Sequence, residues 1–143
     1  MRRLLSVVVS VYNEEEALAQ FYQVTEGILN TISWDYELVF VNDGSRDQSL
    51  SILNRLADSN PKVKVVSFSR NFGHEAAMIA GIDYSQGDGI ICMDADLQHP
   101  PQLVAEMIRI VEETGCDSCA ARRVSRKGEP KIRSALARAF YKL

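Results

Sequence analysis

Along this chain, short apolar runs of strand length alternate with longer segments whose apolar residues recur at helical spacing. The runs predict strands over about 4–12, 36–42, 63–69, 89–94 and 117–121, and the periodic segments predict helices over about 14–30, 46–58, 74–84, 101–114 and 130–142. Strand and helix in strict turn is the pattern of βαβ units, so the expected fold class is α/β with an open, largely parallel sheet flanked by helices. In the first helix Leu18, Phe21, Tyr22, Thr25, Ile28 and Leu29 keep to one face, and Asn13 with Glu16 three residues on resembles a capping box at its start. Pro100 and Pro101 suit the opening of the fourth helix, where the first-turn amides have no helical partner. No internal repeat, low-complexity tract or linker interrupts residues 1–121, which are read as one domain.

In open α/β sheets ligands bind beyond the carboxyl ends of the strands. Here those ends read Tyr12-Asn13-Glu14, Asn42-Asp43-Gly44-Ser45, Arg70-Asn71 and Asp94-Ala95-Asp96. On an extended segment Asp94 and Asp96 point to one side and Ala95 to the other. Two carboxylates sharing one space repel each other unless a cation lies between them, and hard oxygen ligands suit Mg2+ or Mn2+. A cation with few protein ligands completes its shell from substrate phosphates and water, which points to a phosphorylated substrate, most simply a nucleoside diphosphate. Gln98 supplies a third oxygen if the chain stays extended as far as His99. Capping of the helix near Pro100 is a competing account of Asp96, but not of Asp94, which ends the apolar run from Gly89 to Met93. Asp43 is placed to accept hydrogen bonds from a base or ribose, or else is a turn acid before a helix capped by Ser45 or Asp47, with Gly44 allowing the sharp turn. Glu14 equally suits a first helical turn, where the dipole favours acids. His74 and His99 are read as polar surface groups, and no catalytic base is assigned.

Composition narrows these readings. With 143 residues, 46% hydrophobic and 24% charged, the chain can bury the core of one domain and is not a disordered sequence. Its longest apolar stretch falls far short of the roughly 20 residues that span a bilayer. Met1-Arg2-Arg3 before an apolar run imitates a signal peptide, yet no small-residue cleavage site follows, so this is a first core strand. Of three cysteines, Cys92 sits in an apolar run, while Cys116 and Cys119 form a lone C-x-x-C that cannot complete a four-ligand zinc site. They are read as strand-edge thiols in a reducing compartment, a redox motif being the alternative. Neither G-x-G-x-x-G nor G-x-x-x-x-G-K-[ST] occurs, which disfavours dinucleotide oxidoreductases and P-loop enzymes. Without a glycine cradle, a diphosphate must be met by metal and by basic side chains, and Arg122, Arg123 and Arg126 are the candidates. Charge is unevenly spread: residues 1–121 carry 8 basic and 18 acidic groups, net −10, whereas 122–143 carry 8 basic and 1 acidic, net +7. Such a basic end fits a phosphate-bearing partner (nucleic acid, anionic membrane or phosphorylated substrate), or is simply a solvated helix face.

Val11-Tyr12-Asn13-Glu14, Asn42-Asp43-Gly44-Ser45 and Asp94-Ala95-Asp96-Leu97-Gln98-His99-Pro100-Pro101, in that order, resemble the motifs of family 2 glycosyltransferases. Ser69-Arg70-Asn71-Phe72-Gly73-His74 and Arg123-x-x-Arg126-Lys127-Gly128-Glu129 bring the resemblance closer to polyprenyl-phosphate sugar transferases of the dolichol-phosphate mannose synthase and bactoprenol glucosyltransferase type. The resemblance implies a GT-A, Rossmann-like fold and an inverting transfer of a hexose from a UDP- or GDP-sugar to a polyprenyl phosphate, glucose from UDP being the expectation by branch. It implies Tyr12, Glu14, Asp43 and Asp94 around the nucleotide. Asp94, Asp96 and Gln98 would hold Mg2+ or Mn2+, with Asp94 and Asp96 in the catalytic role, and Arg123 and Arg126 would face phosphates, Arg123 fitting the spacing better than Arg122. It also implies work at the cytoplasmic face of a membrane, with an anionic membrane surface and no nucleic acid as partner; a homo-oligomer is compatible with it.

Relatives of this type continue well past Leu143, so residues 1–121 are expected to be the nucleotide-sugar-binding core and 122–143 the start of an acceptor- or membrane-facing region. The segment from Pro130 to Leu143 sets Ile132, Leu136, Ala139, Phe140 and Leu143 among Lys131, Arg133, Arg138 and Lys142, a pattern suited equally to anionic lipid or to core packing. Two alternatives stand beside the transferase: a truncated domain that binds nucleotide and metal without turnover, and, more remotely, a phospho-receiver regulatory domain. The latter needs an acidic pair at the first strand and an Asp at the third, where Ser69-Arg70-Asn71 stands.

Overall fold

The computed structural model describes residues 2–98 and 100–121. Its elements are β1 (Leu4–Val11), α1 (Leu18–Leu29), β2 (Asp35–Asn42), α2 (Ser49–Ser59), β3 (Val63–Ser67), α3 (His74–Tyr84), β4 (Gly89–Asp94) and α4 (Gln102–Thr114). All strands are parallel in the order β3-β2-β1-β4, so the chain runs outward from β1 through β2 and β3 and then returns to the other side of β1. The α/β expectation is met. Neighbouring strand ends diverge at that change of direction, which opens a crevice between the loops after β1 and β4.

The sheet's two faces are covered unequally. One buries Leu5, Val7, Val9, Val11, Leu38, Phe40 and Met93 against Leu18, Phe21 and Leu29 of α1, Leu53 of α2, and Val104 and Ile108 of α4. Each fully buried side chain of this kind contributes about 1.5–3 kcal/mol. Across the other face lies α3, drawn close because Gly81 has no side chain: a Cβ there would stand 2.3 Å from Val8 Cγ1. Among the described residues no other element covers this face beyond α3, and Ile90 and Cys92 of β4 are exposed. At the strands' amino ends Glu37, only 4% exposed, accepts hydrogen bonds from the Ser6 hydroxyl, the Lys64 ammonium and the Gln86 amide, so its buried carboxylate is satisfied.

Three expectations are corrected. Residues 117–121 form no strand: Asp117, Ser118, Cys119, Ala120 and Ala121 are too small and polar to bury a strand face, and Cys116 and Cys119 are free thiols on a non-strand segment. The capping box is not formed, because α1 starts at Leu18, and Asn13, left-handed at φ 52°, spends its side-chain oxygen on the Arg46 amide. Ser45 does not cap α2 either; Asp47 Oδ1 accepts from the Ser49 amide at 2.9 Å, while the Ser45 hydroxyl accepts from the Asn13 amide. The helix expected at 130–142, the residues Arg122, Arg123 and Arg126, and His99 lie outside the described residues.

Candidate active site

Because β1 and β4 are neighbours, with Ser10 opposite Asp94, the residues that follow them share one crevice. There Ser10, Tyr12, Glu14, Asp43, Asn71, Gly73, His74, Asp94, Ala95 and Asp96 line a cavity of about 520 Å³. Tyr12 also borders a second cavity of about 400 Å³, bounded by Asn42, Gly44, Ser45, Ser69 and Arg70. Tyr12, which is 43% exposed, and Asn71 border both concavities. A larger cavity of about 890 Å³ lies at the sheet's other end, among Trp34, Ile90 and Met107, away from the carboxylate pair.

Asp94 and Asp96 do face one space, but not by strand alternation alone. The strand ends at Asp94, and the chain turns through Leu97 at φ 60°. Ala95 drops into the core at 2% exposed, and Asp96 Oδ1 braces the turn by accepting the Gln98 amide at 3.0 Å. That turn overturns the extended course expected as far as His99, and exposed Gln98 does not line the cavity. Capping does not occupy the pair: α4 begins after Pro101 with no side-chain cap. Across the cavity, His74 Nε2 lies 3.6 Å from Asp94 Oδ1.

The loop after β1 is bound to the loop before α2 by backbone and side-chain exchange. The Asn13, Glu14 and Glu15 amides donate to Ser45 Oγ, Ser49 Oγ and Asp47 Oδ2, and the Arg46 and Gln48 amides donate back to Asn13 Oδ1 and Glu15 Oε2. These five bonds hold Tyr12 and Glu14 at the cavity, and Glu14 precedes α1 rather than occupying its first turn. Burial raises the Glu14 carboxyl above its ordinary 4.5, and the carboxylates of Asp96, Asp47 and Asp94 push it the same way. So the loops after β1 and β4 together gather carboxylates around one cavity, and the negative potential they concentrate there is an environment a divalent cation relieves. Among the described residues no cluster of three or more His, Cys, Asp or Glu is arranged to hold an ion. Two protein carboxylates suit a cation that takes its remaining ligands from phosphate and water.

Asp43 is 2% exposed, and its Oδ1 and Oδ2 accept the Phe72 and Gly73 amides at 2.7 and 3.1 Å. Sequence reasoning set Arg70-Asn71 at a ligand-facing strand end but gave Asn71, Gly73 and His74 no role in the cavity. Their motif was visible, but only the crossing from β3 to α3 carries it to the cavity.

The sequence profile described as "Glycosyl transferase family 2" matches residues 6–141. An uncharacterized glycosyltransferase, YkcC of Bacillus subtilis (strain 168), is 46% identical over 138 residues, which is 96% of this chain and 42% of that protein. A prophage bactoprenol glucosyl transferase homolog of Escherichia coli (strain K12) is 42% identical over 139 residues, 97% of this chain and 45% of the relative. The chain thus spans less than half the length of these curated relatives. Among solved structures, TarS 1-349 of S. aureus superposes with a TM-score of 0.70 at 21% identity, covering 92% of this chain and 39% of that one. A mannosyltransferase from Pyrobaculum calidifontis, in complex with GDP-Man and Mn2+, gives 0.69 at 21% identity over 85% of this chain and 36% of its own. Those two likenesses establish the fold, which is that of GT-A glycosyltransferases. Among the described residues no helix is long and apolar enough to cross a membrane.

Proposed function

We propose that this chain, which belongs to glycosyl transferase family 2, carries the donor site of an inverting enzyme that moves a hexose from a UDP- or GDP-sugar to a polyprenyl phosphate. The observation that carries the reading is the convergence of Glu14, Asp94 and Asp96 on one cavity at the strands' carboxyl ends. Asp94 and Asp96 would hold Mg2+ or Mn2+, whose charge supplies electrostatic stabilisation to a departing nucleoside diphosphate. Tyr12, Glu14 and Asp43 face the nucleoside, and the sugar lies toward His74 and Asn71. Arg123 and Arg126 are assigned to phosphate, and the basic segment 122–143 to an anionic lipid surface.

A phosphate monoester acceptor has a second pKa of about 6 and is already mostly dianionic at neutral pH, so it needs little help from a general base. The protein's part is to orient the two phosphate groups and exclude water from the sugar carbon between them. The names of the bactoprenol glucosyl transferase relatives favour a lipid phosphate as acceptor. The test is radiolabelled hexose transfer to a short-chain polyprenyl phosphate from a panel of UDP- and GDP-sugars with Mn2+. Labelled lipid from one donor class is expected. Donor binding without any labelled lipid would leave this chain a nucleotide- and metal-binding domain only.

A further inference from the structure

We propose that His74 reads the hexose: its imidazole bonds a sugar hydroxyl and so sets which hexose the cavity accepts. The proposal rests on the donor-site reading and goes one step past it. Strand order sorts the cavity's residues, because β2, β1 and β4 lie side by side. Asp43 follows β2, Tyr12 and Glu14 follow β1, and Asp94 ends β4, so a donor with its nucleoside at the first three and its diphosphate at the carboxylate pair carries its sugar to the β4 end. The sugar is bonded directly to the diphosphate, so a side chain beside Asp94 is beside the sugar. The segment after β3 leads there: Asp43 accepts the Phe72 and Gly73 amides, and Gly73, at φ 102°, turns the chain into α3. His74, the first residue of that helix, thereby brings Nε2 to 3.6 Å from Asp94 Oδ1. That distance is too long for a hydrogen bond, so the ring stands beside the carboxylate without being bonded to it. Its side chain is 58% exposed, and it lines the carboxylate cavity but not the second cavity past Tyr12. A neutral imidazole has one nitrogen that donates and one that accepts, matching a hydroxyl, which does both; ionised Glu14, Asp94 and Asp96 only accept. Asn71 also does both, but it borders both cavities and so sits at their junction rather than at the sugar end.

The test is calorimetry with Mn2+ on the wild type and His74→Ala, using UDP, GDP and a panel of UDP- and GDP-hexoses. The hexose nucleotide that the wild type binds most tightly serves as parent, together with its analogues lacking one sugar hydroxyl each. His74→Ala should bind the bare nucleoside diphosphate within about twofold of wild type and the parent about fivefold more weakly, the worth of one hydrogen bond. One deoxy analogue should bind the wild type about fivefold more weakly than the parent, whereas His74→Ala should bind that analogue and the parent alike, because the bond is already gone. His74→Gln, which keeps a donor and an acceptor, should recover part of the loss for the parent; His74→Leu replaces His74→Ala in the cycle if the latter does not fold. A side chain that only shapes the cavity would weaken bare diphosphate and parent by the same factor and would add its loss to that of every deoxy analogue. Either result overturns the proposal, as does wild-type affinity of His74→Ala for the parent. If the wild type binds none of these nucleotides, the donor-site reading fails and the proposal falls with it; if the wild type binds them and His74→Ala keeps the same preference among hexoses, the proposal alone is overturned.

Discussion

Gly44→Ala puts one methyl where the structure leaves no room for it. At φ 67° an alanine pays about 1 kcal/mol for the left-handed backbone. Its Cβ would also lie 2.2 Å from Arg70 C, so reaching an ordinary contact of 3.4 Å displaces the 70–71 backbone by about 1.2 Å. The obstruction is main chain, held on its far side by the Asp43 bonds to Phe72 and Gly73, and it cannot yield by a rotamer change. Overpacking of this kind costs about 1–3 kcal/mol, bringing the total to about 2–4 kcal/mol. At about 3 °C per kcal/mol for a chain of this size, the melting temperature should fall by about 6–12 °C. The control is Gly27→Ala, on α1, where nothing lies within 4 Å of the added Cβ; it should stabilise by up to about 1 kcal/mol through helix propensity. Urea unfolding of both variants gives the comparison. A Gly44→Ala midpoint within about 0.5 kcal/mol of wild type would refute the reasoning.

Lys64→Met should destabilise by about 3 kcal/mol at pH 7, the lower end for a broken buried pair because Lys64 is partly solvated. Burial alone would raise the Glu37 carboxyl, but Lys64, Ser6 and the Gln86 amide outweigh it and hold the group below its ordinary 4.5. Its stabilising contribution is therefore full above pH 4.5 and lost as pH falls through the lowered folded value; in the variant the acid loss should begin at higher pH. Urea midpoints identical to wild type from pH 4 to 8 would count against this. Thr25→Val removes a buried hydroxyl that has no hydrogen-bond partner among the described residues and should stabilise by about 1 kcal/mol; a lower melting temperature would show that the hydroxyl is satisfied in solution.

The parts of this molecule written in local pattern were legible in its sequence. Strands β1, β2 and β4 stand out as apolar runs, and Asp94 is conspicuous because it ends one of them. The false fifth strand shows the limit of that reading: residues 117–121 follow a helix at the right spacing, yet their small side chains supply no face to bury. The course of the chain at Gln98 was hidden for a different reason, since the left-handed turn at Leu97 is fixed by the Asp96 bond to the Gln98 amide and has no glycine to announce it. Least legible were the bonds joining residues 13–15 to 45–49 and Asp43 to 72–73, because their partners lie about thirty residues apart and meet only once the parallel strands have assembled. The side chains involved, Asn, Asp, Glu and Ser, read locally as helix caps and turn formers, a role that satisfies the same chemistry.

The account stands on two carboxylates, Asp94 and Asp96, seating a cation against a sugar nucleotide's diphosphate. Calorimetric titration of UDP- and GDP-sugars into the wild type and into Asp94→Asn and Asp96→Asn, each with and without Mn2+, tests that claim most directly. The prediction is binding by the wild type that requires Mn2+ and is lost in both variants. Equal binding with and without the metal, or undiminished binding in either variant, would contradict it.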